Sequence, residues 1–185
     1  MNMLTNKIII ITGATSGIGK ATAIGAAKEG ATIVLAGRRE KEGAAIVKAI
    51  CADGGNAEFV RCDVLVEDDI RSLVEGTVKK FGRLDGAFNN AGILGGVGSL
   101  DQLPNNEFDH VFNVNLRSLF WSLQYESAAM KTHGGTIVNC GSAASVVGAA
   151  GFATYSATMH ALVGLTKSSA IDNAPLGIRI NAVLP

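Results

Sequence analysis

The 185-residue chain is poor in the residues that mark several classes of protein. Its three cysteines and three histidines are scattered, so we expect neither a disulfide framework nor a metal site. Basic and acidic residues number 16 each, and this zero net charge argues against nucleic acid or an anionic membrane as a partner. No apolar run approaches the roughly 18 residues of a bilayer span, and the first residues do not resemble a signal peptide. These absences predict a cytoplasmic protein with a small-molecule partner.

Aromatic residues make up only 5% of the chain, whereas apolar residues make up 48% and glycines number 23. This composition is typical of parallel strands buried under closely packed helices. Short β-branched runs alternate with longer stretches of helical periodicity, which predicts an α/β fold. We expect a three-layer doubly wound parallel sheet, a Rossmann fold, in one domain over residues 1–185. The predicted strands are 7–12, 31–37, 57–64, 84–89, 135–141 and 178–185, and the predicted helices are 17–29, 39–53, 67–81, 105–131 and 153–173.

A glycine-rich turn follows the first predicted strand and precedes the first predicted helix. Gly13 permits the tight turn, Gly17 lets the backbone approach a diphosphate, and Gly19 allows close contact between helix and strand. Free N–H groups at the start of the helix then point at the anion. The order of strand, turn and helix predicts a dinucleotide site, which also includes Thr15, Ser16 and Ile18.

The end of the second predicted strand bears on the choice of cofactor. An acidic residue there would accept hydrogen bonds from the adenosine ribose, but this chain has Arg38 and Arg39. Guanidinium groups form paired hydrogen bonds to a phosphate, so NADP is favoured over NAD. The alternative is that the two arginines are an ordinary solvated helix start.

Two further segments end predicted strands at the edge where such sheets bind ligands. Asp63 and Val64 close the third strand, where an adenine ring would lie. Asn90, Ala91 and Gly92 follow the fourth strand. We expect both segments to contact the cofactor.

The turn and the Asn-Asn-Ala-Gly segment together resemble those of the short-chain dehydrogenase/reductase family, in its main branch, and the likeness runs from about residue 5 to residue 185. The resemblance implies chemistry on carbonyl or secondary-alcohol substrates. It assigns the catalytic asparagine, serine and tyrosine to Asn115, Ser142 and Tyr155. Tyr155 would be the acid or base, and Ser142 would polarise the substrate oxygen.

One position departs from the family pattern, because the family lysine four residues after the tyrosine is replaced by Met159. Methionine has no charge to favour the phenolate and no donor for the nicotinamide ribose. We therefore expect impaired activity, typically by about 10² to 10⁴ in rate. The alternative is a non-catalytic dinucleotide-binding or regulatory protein. An epimerase or dehydratase of the related branch is disfavoured, because three residues separate Gly13 from Gly17.

The resemblance also implies features outside the catalytic residues. Family members continue beyond Pro185 with a substrate-covering segment and a further strand, so we expect this domain to be incomplete at its C-terminus. They usually pair through the helices predicted at 105–131 and 153–173, which implies a homodimer or homotetramer. The substrate cannot be read from the stretches 94–103 and 143–152, which are small and unselective.

Overall fold

The computed structural model describes residues 2–185, and its six strands form one parallel sheet. The strands are β1 Ile8–Thr12, β2 Thr32–Gly37, β3 Asn56–Arg61, β4 Gly86–Asn89, β5 Gly135–Cys140 and β6 Ile178–Val183. The helices are α1 Gly17–Lys28, α2 Glu40–Ala52, α3 Glu67–Phe81, α4 Asn105–Phe112, α5 Ser118–Met130 and α6 Ala153–Asn173. Strands and helices alternate, which confirms the predicted doubly wound sheet.

The strand order is β3-β2-β1-β4-β5-β6, and every neighbouring pair is parallel. The chain moves outward from β1 in one direction through β3 and then returns to place β4 on the other side of β1. Ligands in such sheets bind beyond the carboxyl ends of the strands where this reversal occurs. The fold therefore directs attention to the residues that follow β1 and β4.

Two apolar clusters cover the two faces of the sheet. Side chains from α1 and α2 pack with Ile11, Ile33 and Leu35 on one face. Side chains from α3, α5 and α6 pack with Ile10 and Ile137 on the other. Because side chains alternate along a strand, consecutive β-branched residues such as Ile10 and Ile11 are buried on opposite faces. The sheet is thus a rigid support for the loops at its carboxyl edge.

Helix α3 illustrates how local sequence defines the helices. Its first turn contains three acidic residues and its last turn contains Lys79 and Lys80, so the charges complement the helix dipole. It ends at Gly82, whose φ of 79° is a left-handed conformation that glycine adopts readily. These signals explain why the predicted boundaries 67–81 agree with the structure.

Several predicted boundaries were wrong. Strand β3 ends at Arg61 rather than at 64, so Asp63 and Val64 lie in the loop beyond it, and β4 begins at Gly86 rather than at 84. Strand β6 ends at Val183 rather than at Pro185. The helix predicted over 105–131 is divided by a π-helical segment at Asn113–Arg117. A single π-helical turn hardly changes the spacing of apolar residues along a helix. The apolar pattern therefore predicted one continuous helix and did not reveal the π segment.

A broad apolar groove of about 750 Å³ lies beside α1, over the sheet face formed by Ile9, Phe88 and Val138.

Among residues 2–185 no helix has both the length and the apolar character needed to cross a membrane.

Candidate active site

The glycine turn leaves β1 and enters α1 with little free space on its inner side. Gly13 has φ +64°, and a Cβ there would lie 2.9 Å from the Ala91 Cα atom. A Cβ on Gly19 would lie 2.6 Å from both the Gly13 carbonyl oxygen and the side-chain Nδ2 atom of Asn90. Gly17 has φ +50° but faces open space. The turn is therefore tightly packed against the end of β4 and open where a ligand would approach.

The N-terminus of α1 is not capped by a side chain. Ser16 is the N-cap residue, but its side chain makes no capping hydrogen bond, and the first turn contains no acidic residue. The Ser16 hydroxyl instead accepts a hydrogen bond of 2.6 Å from Arg39. Uncapped N–H groups and the helix dipole make this end of α1 positive, at the position where the sequence predicts a diphosphate.

The two arginines after β2 occupy different positions. The Arg39 guanidinium donates to the Thr15 hydroxyl through Nε at 3.0 Å and Nη2 at 2.8 Å, in addition to its bond to Ser16. Arg38 makes only a distant ion pair, with 4.0 Å between its Nη1 and the Asp63 carboxylate, and its side chain is 65% exposed. Arg39 therefore braces the turn, whereas Arg38 remains available to a ligand.

A cavity of about 520 Å³ lies along this turn, and we call it the turn cavity. It brings together all but one of the predicted cofactor contacts outside the catalytic residues: Gly13, Thr15, Ser16, Gly17, Ile18, Arg38, Arg39, Asp63, Val64, Asn90, Ala91 and Gly92. The exception is Gly19, which is buried beneath the turn. Cys62 also lines this cavity, and burial raises the pKa of its thiol to about 12, so it stays protonated at neutral pH.

The segment after β4 is fixed to β1 by a set of hydrogen bonds. The backbone N–H groups of Asn90 and Ala91 donate to the Thr12 hydroxyl at 3.1 and 3.2 Å. The Asn90 side-chain amide donates to the carbonyl oxygens of Thr12 and Gly13 at 3.1 and 3.3 Å. These bonds hold the two strand ends together where the sheet reverses direction.

A second cavity, of about 220 Å³, contains Tyr155, Met159 and Asn115 in its lining, and we call it the tyrosine cavity. It shares Asn90, Ala91, Gly92 and three other residues with the turn cavity, so the two spaces adjoin. No charged side chain of residues 2–185 lines it. Met159 is only 4% exposed and lies one helical turn beyond Tyr155 on α6.

Ser142 lies beside this cavity but does not line it. Its hydroxyl accepts a hydrogen bond of 3.3 Å from the Ala144 N–H and caps a short 3₁₀ helix at Ala143–Ser145. The Ala143 N–H donates to the Pro185 carbonyl oxygen at 2.8 Å. The serine loop therefore depends on both β5 and the residues that follow β6.

Asn115 lies in the middle of the π-helical segment and is 3% exposed. Its side-chain oxygen accepts from the Ile93 N–H at 2.8 Å, and its amide donates to the Ile93 carbonyl oxygen at 2.9 Å. The amide also donates to the Thr158 hydroxyl at 3.2 Å. Asn115 thus connects the segment after β4 to α6, and its side chain is already engaged.

One buried polar cluster is not evident from the sequence patterns. Glu126 on α5 accepts a hydrogen bond of 2.9 Å from the amide of Asn89, which also donates to Asn139 at 3.1 Å. Asn139 in turn donates to Thr166 on α6 at 2.9 Å. Burial raises the pKa of Glu126 to about 7, although the hydrogen bond from Asn89 lowers it. Only its position on the buried side of a largely apolar helix could have indicated the cluster.

Comparison with known proteins identifies the class to which this geometry belongs. The sequence profile of the short chain dehydrogenase family matches residues 7–185. The chain belongs to this family, which confirms the resemblance found in the turn and in the segment after β4.

Individual relatives share both sequence and structure with the chain. A 3beta-hydroxysteroid dehydrogenase of Mediterraneibacter gnavus is 45% identical over 185 residues, which are 100% of this chain and 67% of the relative. A cyclohexanol dehydrogenase of an Acinetobacter species is 40% identical and is covered to 74%, again along the whole of this chain. An NAD⁺-bound xylitol dehydrogenase structure superposes with a TM-score of 0.96 at 34% identity, over 99% of this chain and 71% of the other.

Proposed function

We propose that the protein is an NADP(H)-dependent oxidoreductase acting on a carbonyl or secondary-alcohol substrate, with activity reduced by Met159. The observation that carries this proposal is the adjacency of the two cavities. The turn cavity presents the uncapped start of α1, and the tyrosine cavity presents Tyr155, with the segment 90–92 common to both. One extended cofactor would reach from the first to the second.

The residues of the turn cavity suit a dinucleotide. The open side of Gly17 gives a diphosphate access to the N–H groups of the first turn of α1. The loop of Asp63 and Val64 would border the adenine, and the segment Asn90–Gly92 would border the nicotinamide end. The bound nicotinamide ring would supply the hydride acceptor or donor of the reaction.

The preference for NADP(H) is based on Arg38. Its guanidinium is largely exposed at the end of β2, and its nearest ionic partner, Asp63, is 4.0 Å away. No carboxylate takes the place that would bind the ribose hydroxyls, since Gly37, Arg38 and Arg39 fill it. Arg39 is committed to Thr15 and Ser16, so we assign contact with the extra phosphate to Arg38.

In the proposed reaction Tyr155 moves the proton at the substrate oxygen. Ser142, after reorientation from its bond to the Ala144 N–H, would hydrogen-bond the same oxygen. Asn115 would act through the segment it holds, since its side chain already bonds to Ile93 and Thr158. Met159 would exclude water beside Tyr155 without assisting the proton transfer.

The wall of the substrate side is apolar. The two loops next to the tyrosine cavity expose four apolar side chains: Leu94 (47%), Val97 (60%), Val146 (64%) and Val147 (55%). These loops are joined by a hydrogen bond of 3.0 Å from the Gly98 N–H to the Gly151 carbonyl oxygen. An apolar rim and the names of the relatives, which act on a hydroxysteroid and on cyclohexanol, favour a secondary alcohol or ketone on an aliphatic ring.

A second function, dinucleotide binding without catalysis, is favoured by Met159. Among residues 2–185 no charged side chain lines the tyrosine cavity, whereas the turn cavity presents the start of α1 and two arginines. In that role the protein would bind the cofactor and respond to it as a regulatory protein.

We also propose a homodimer or homotetramer. An apolar surface groove of about 550 Å³ lies between α4, α5 and α6, and its apolar lining includes Phe112, Leu116, Phe120 and Leu165. Phe120 is 53% exposed there. A second copy would bury this apolar surface.

Two measurements test the proposed function. Calorimetric titration of the protein with NADPH and with NADH should show binding of both, with the tighter binding for NADPH. Turnover of cyclohexanone and of a 3-keto steroid with NADPH should then be slow but detectable. Binding without turnover would favour the non-catalytic function, and no binding of either dinucleotide would contradict both.

A further inference from the structure

Glu126 is fully enclosed, with 1% of its surface exposed, and belongs to a chain of hydrogen-bonded side chains along the sheet face that α5 and α6 cover. The chain runs from Glu126 on α5 to Asn89 at the end of β4, to Asn139 on β5 and to Thr166 on α6. It therefore joins two helices through the carboxyl ends of two neighbouring strands.

Each element joined in this way carries part of the candidate site. Asn89 immediately precedes Asn90, whose backbone and side chain bind Thr12 and Gly13, and Asn89 itself lines the tyrosine cavity. Asn139 lies three residues before Ser142, and Thr166 shares α6 with Tyr155. A displacement of Asn89 would thus be transmitted to the turn and to the wall between the two cavities.

Stability alone does not explain a carboxyl group at this position. Removing a carboxyl from water is costly, and replacing a buried hydrogen-bonded pair as a whole by apolar side chains is often neutral or stabilising. Unlike an apolar side chain, the carboxyl fixes the direction of the Asn89 amide through a hydrogen bond.

We propose that Glu126 is a positioning residue: through Asn89 it sets the conformation of segment 90–92 and thereby the affinity for the nicotinamide dinucleotide. This inference rests on the proposed function for its ligand. It does not require that the chain be catalytically active.

The test compares Glu126→Leu and Glu126→Gln with the unchanged protein. The leucine removes the acceptor, whereas the glutamine side-chain oxygen can still accept from Asn89. We expect Glu126→Leu to weaken NADPH binding at least tenfold. It should also lower the melting temperature, because one N–H of the buried Asn89 amide loses its acceptor. Glu126→Gln should bind within about threefold of the unchanged protein. Thr77→Val is the control, because Thr77 is a buried hydroxyl on α3 that bonds only to the Leu73 carbonyl oxygen.

Amide hydrogen exchange of residues 89–92 in the free protein provides a readout that does not depend on the ligand. Exchange there should be faster in Glu126→Leu and unchanged in Glu126→Gln and Thr77→Val. If Glu126→Leu fails to fold, Glu126→Met fills the same volume and carries the same expectations.

The outcomes distinguish this inference from the proposed function. Unchanged affinity and exchange in Glu126→Leu would overturn the inference while the proposed function stands. Equal losses of affinity and stability in the leucine and glutamine variants would show a merely structural role and also overturn it. If the unchanged protein binds neither dinucleotide, the proposed function fails, and hydrogen exchange at 89–92 still decides whether Glu126 positions this segment.

Discussion

The turn cavity and the tyrosine cavity share one wall but depend on different kinds of groups. The turn cavity offers backbone N–H groups, two hydroxyls braced by Arg39, and the exposed guanidinium of Arg38. The tyrosine cavity depends on individual side chains, among them Tyr155 and Met159. Backbone N–H groups remain in place after most side-chain substitutions. A catalytic group that belongs to one side chain is lost when that side chain is replaced. The two halves of the site can therefore be altered separately.

The largest expected effect comes from the turn itself. Gly19→Ala places a Cβ 2.6 Å from the Gly13 carbonyl oxygen, so the turn must shift. We expect dinucleotide affinity to fall at least a hundredfold and the free energy of unfolding to fall by roughly 1 to 3 kcal/mol, as in overpacked interiors. Gly25→Ala on the same helix is the control, because its Cβ would meet no atom within 4 Å. Titration calorimetry and thermal denaturation would measure both, and equal affinity in the two variants would contradict the assigned turn.

The pH dependence of stability should reveal the buried carboxyl of Glu126, which lies behind Asn89 in the wall of the tyrosine cavity. The pKa of Glu126 is raised from its ordinary value of 4.5 to about 7 by burial. Between these pH values the unfolded chain releases this proton and the folded chain keeps it, so stability falls as pH rises. The loss is roughly 3 kcal/mol from this group and ends above about pH 7.

Glu126→Gln should remove this component of the pH dependence. Chemical denaturation between pH 4.5 and 8 would compare the two proteins, with the variant giving the flatter profile. A profile that is identical in both would show that Glu126 does not titrate with this raised pKa.

Met159→Lys should raise catalytic turnover and so separate the role of the tyrosine cavity in catalysis from that of the turn cavity in binding. The ammonium would favour the ionised form of the neighbouring phenol and could contact the nicotinamide ribose. We expect turnover of cyclic ketones to rise at least about tenfold, in line with the usual contribution of a proton-transfer aid. Met159→Leu, which adds no charge, is the control. No gain across a broad panel of ketones and alcohols, in a variant that still binds dinucleotide, would favour the non-catalytic function.

The smallest effect concerns the choice of cofactor. Arg38→Ala should weaken NADPH binding by about fivefold to tenfold, a modest change because the guanidinium is exposed to solvent. NADH binding should change by less than about twofold. Arg38→Lys keeps the charge and should give an intermediate loss for NADPH. A similar loss for both dinucleotides would show that Arg38 does not contact the extra phosphate.

The parts of the site that follow strands directly were the most predictable. Gly13, Gly17 and Gly19 could be placed at a tight turn because a strand, a turn and a helix follow one another within a few residues. Asn90, Ala91 and Gly92 were predicted for the same reason and lie between the two cavities. Local sequence contains the signals for such connections, since hydrophobic periodicity and glycine conformation are properties of short segments.

Other features depend on distant contacts and were not predictable. The two adjacent arginines differ because Arg39 meets hydroxyls 24 and 23 residues earlier in the chain, whereas Arg38 does not. Asn115 was predicted as a site residue, but its bonds to Ile93 and Thr158 and the π segment around it follow from tertiary packing.

The sequence by itself determined the alternation of strands and helices, the glycine turn between β1 and α1 and the identity of residue 159. Each of these is encoded by neighbouring residues or by a single position. Only the tertiary structure decided which arginine stays largely exposed, how Ser142 is oriented and that Glu126 is buried against Asn89. Those outcomes depend on contacts between side chains that are far apart in the sequence and buried together. Short-range sequence patterns do not predict such contacts.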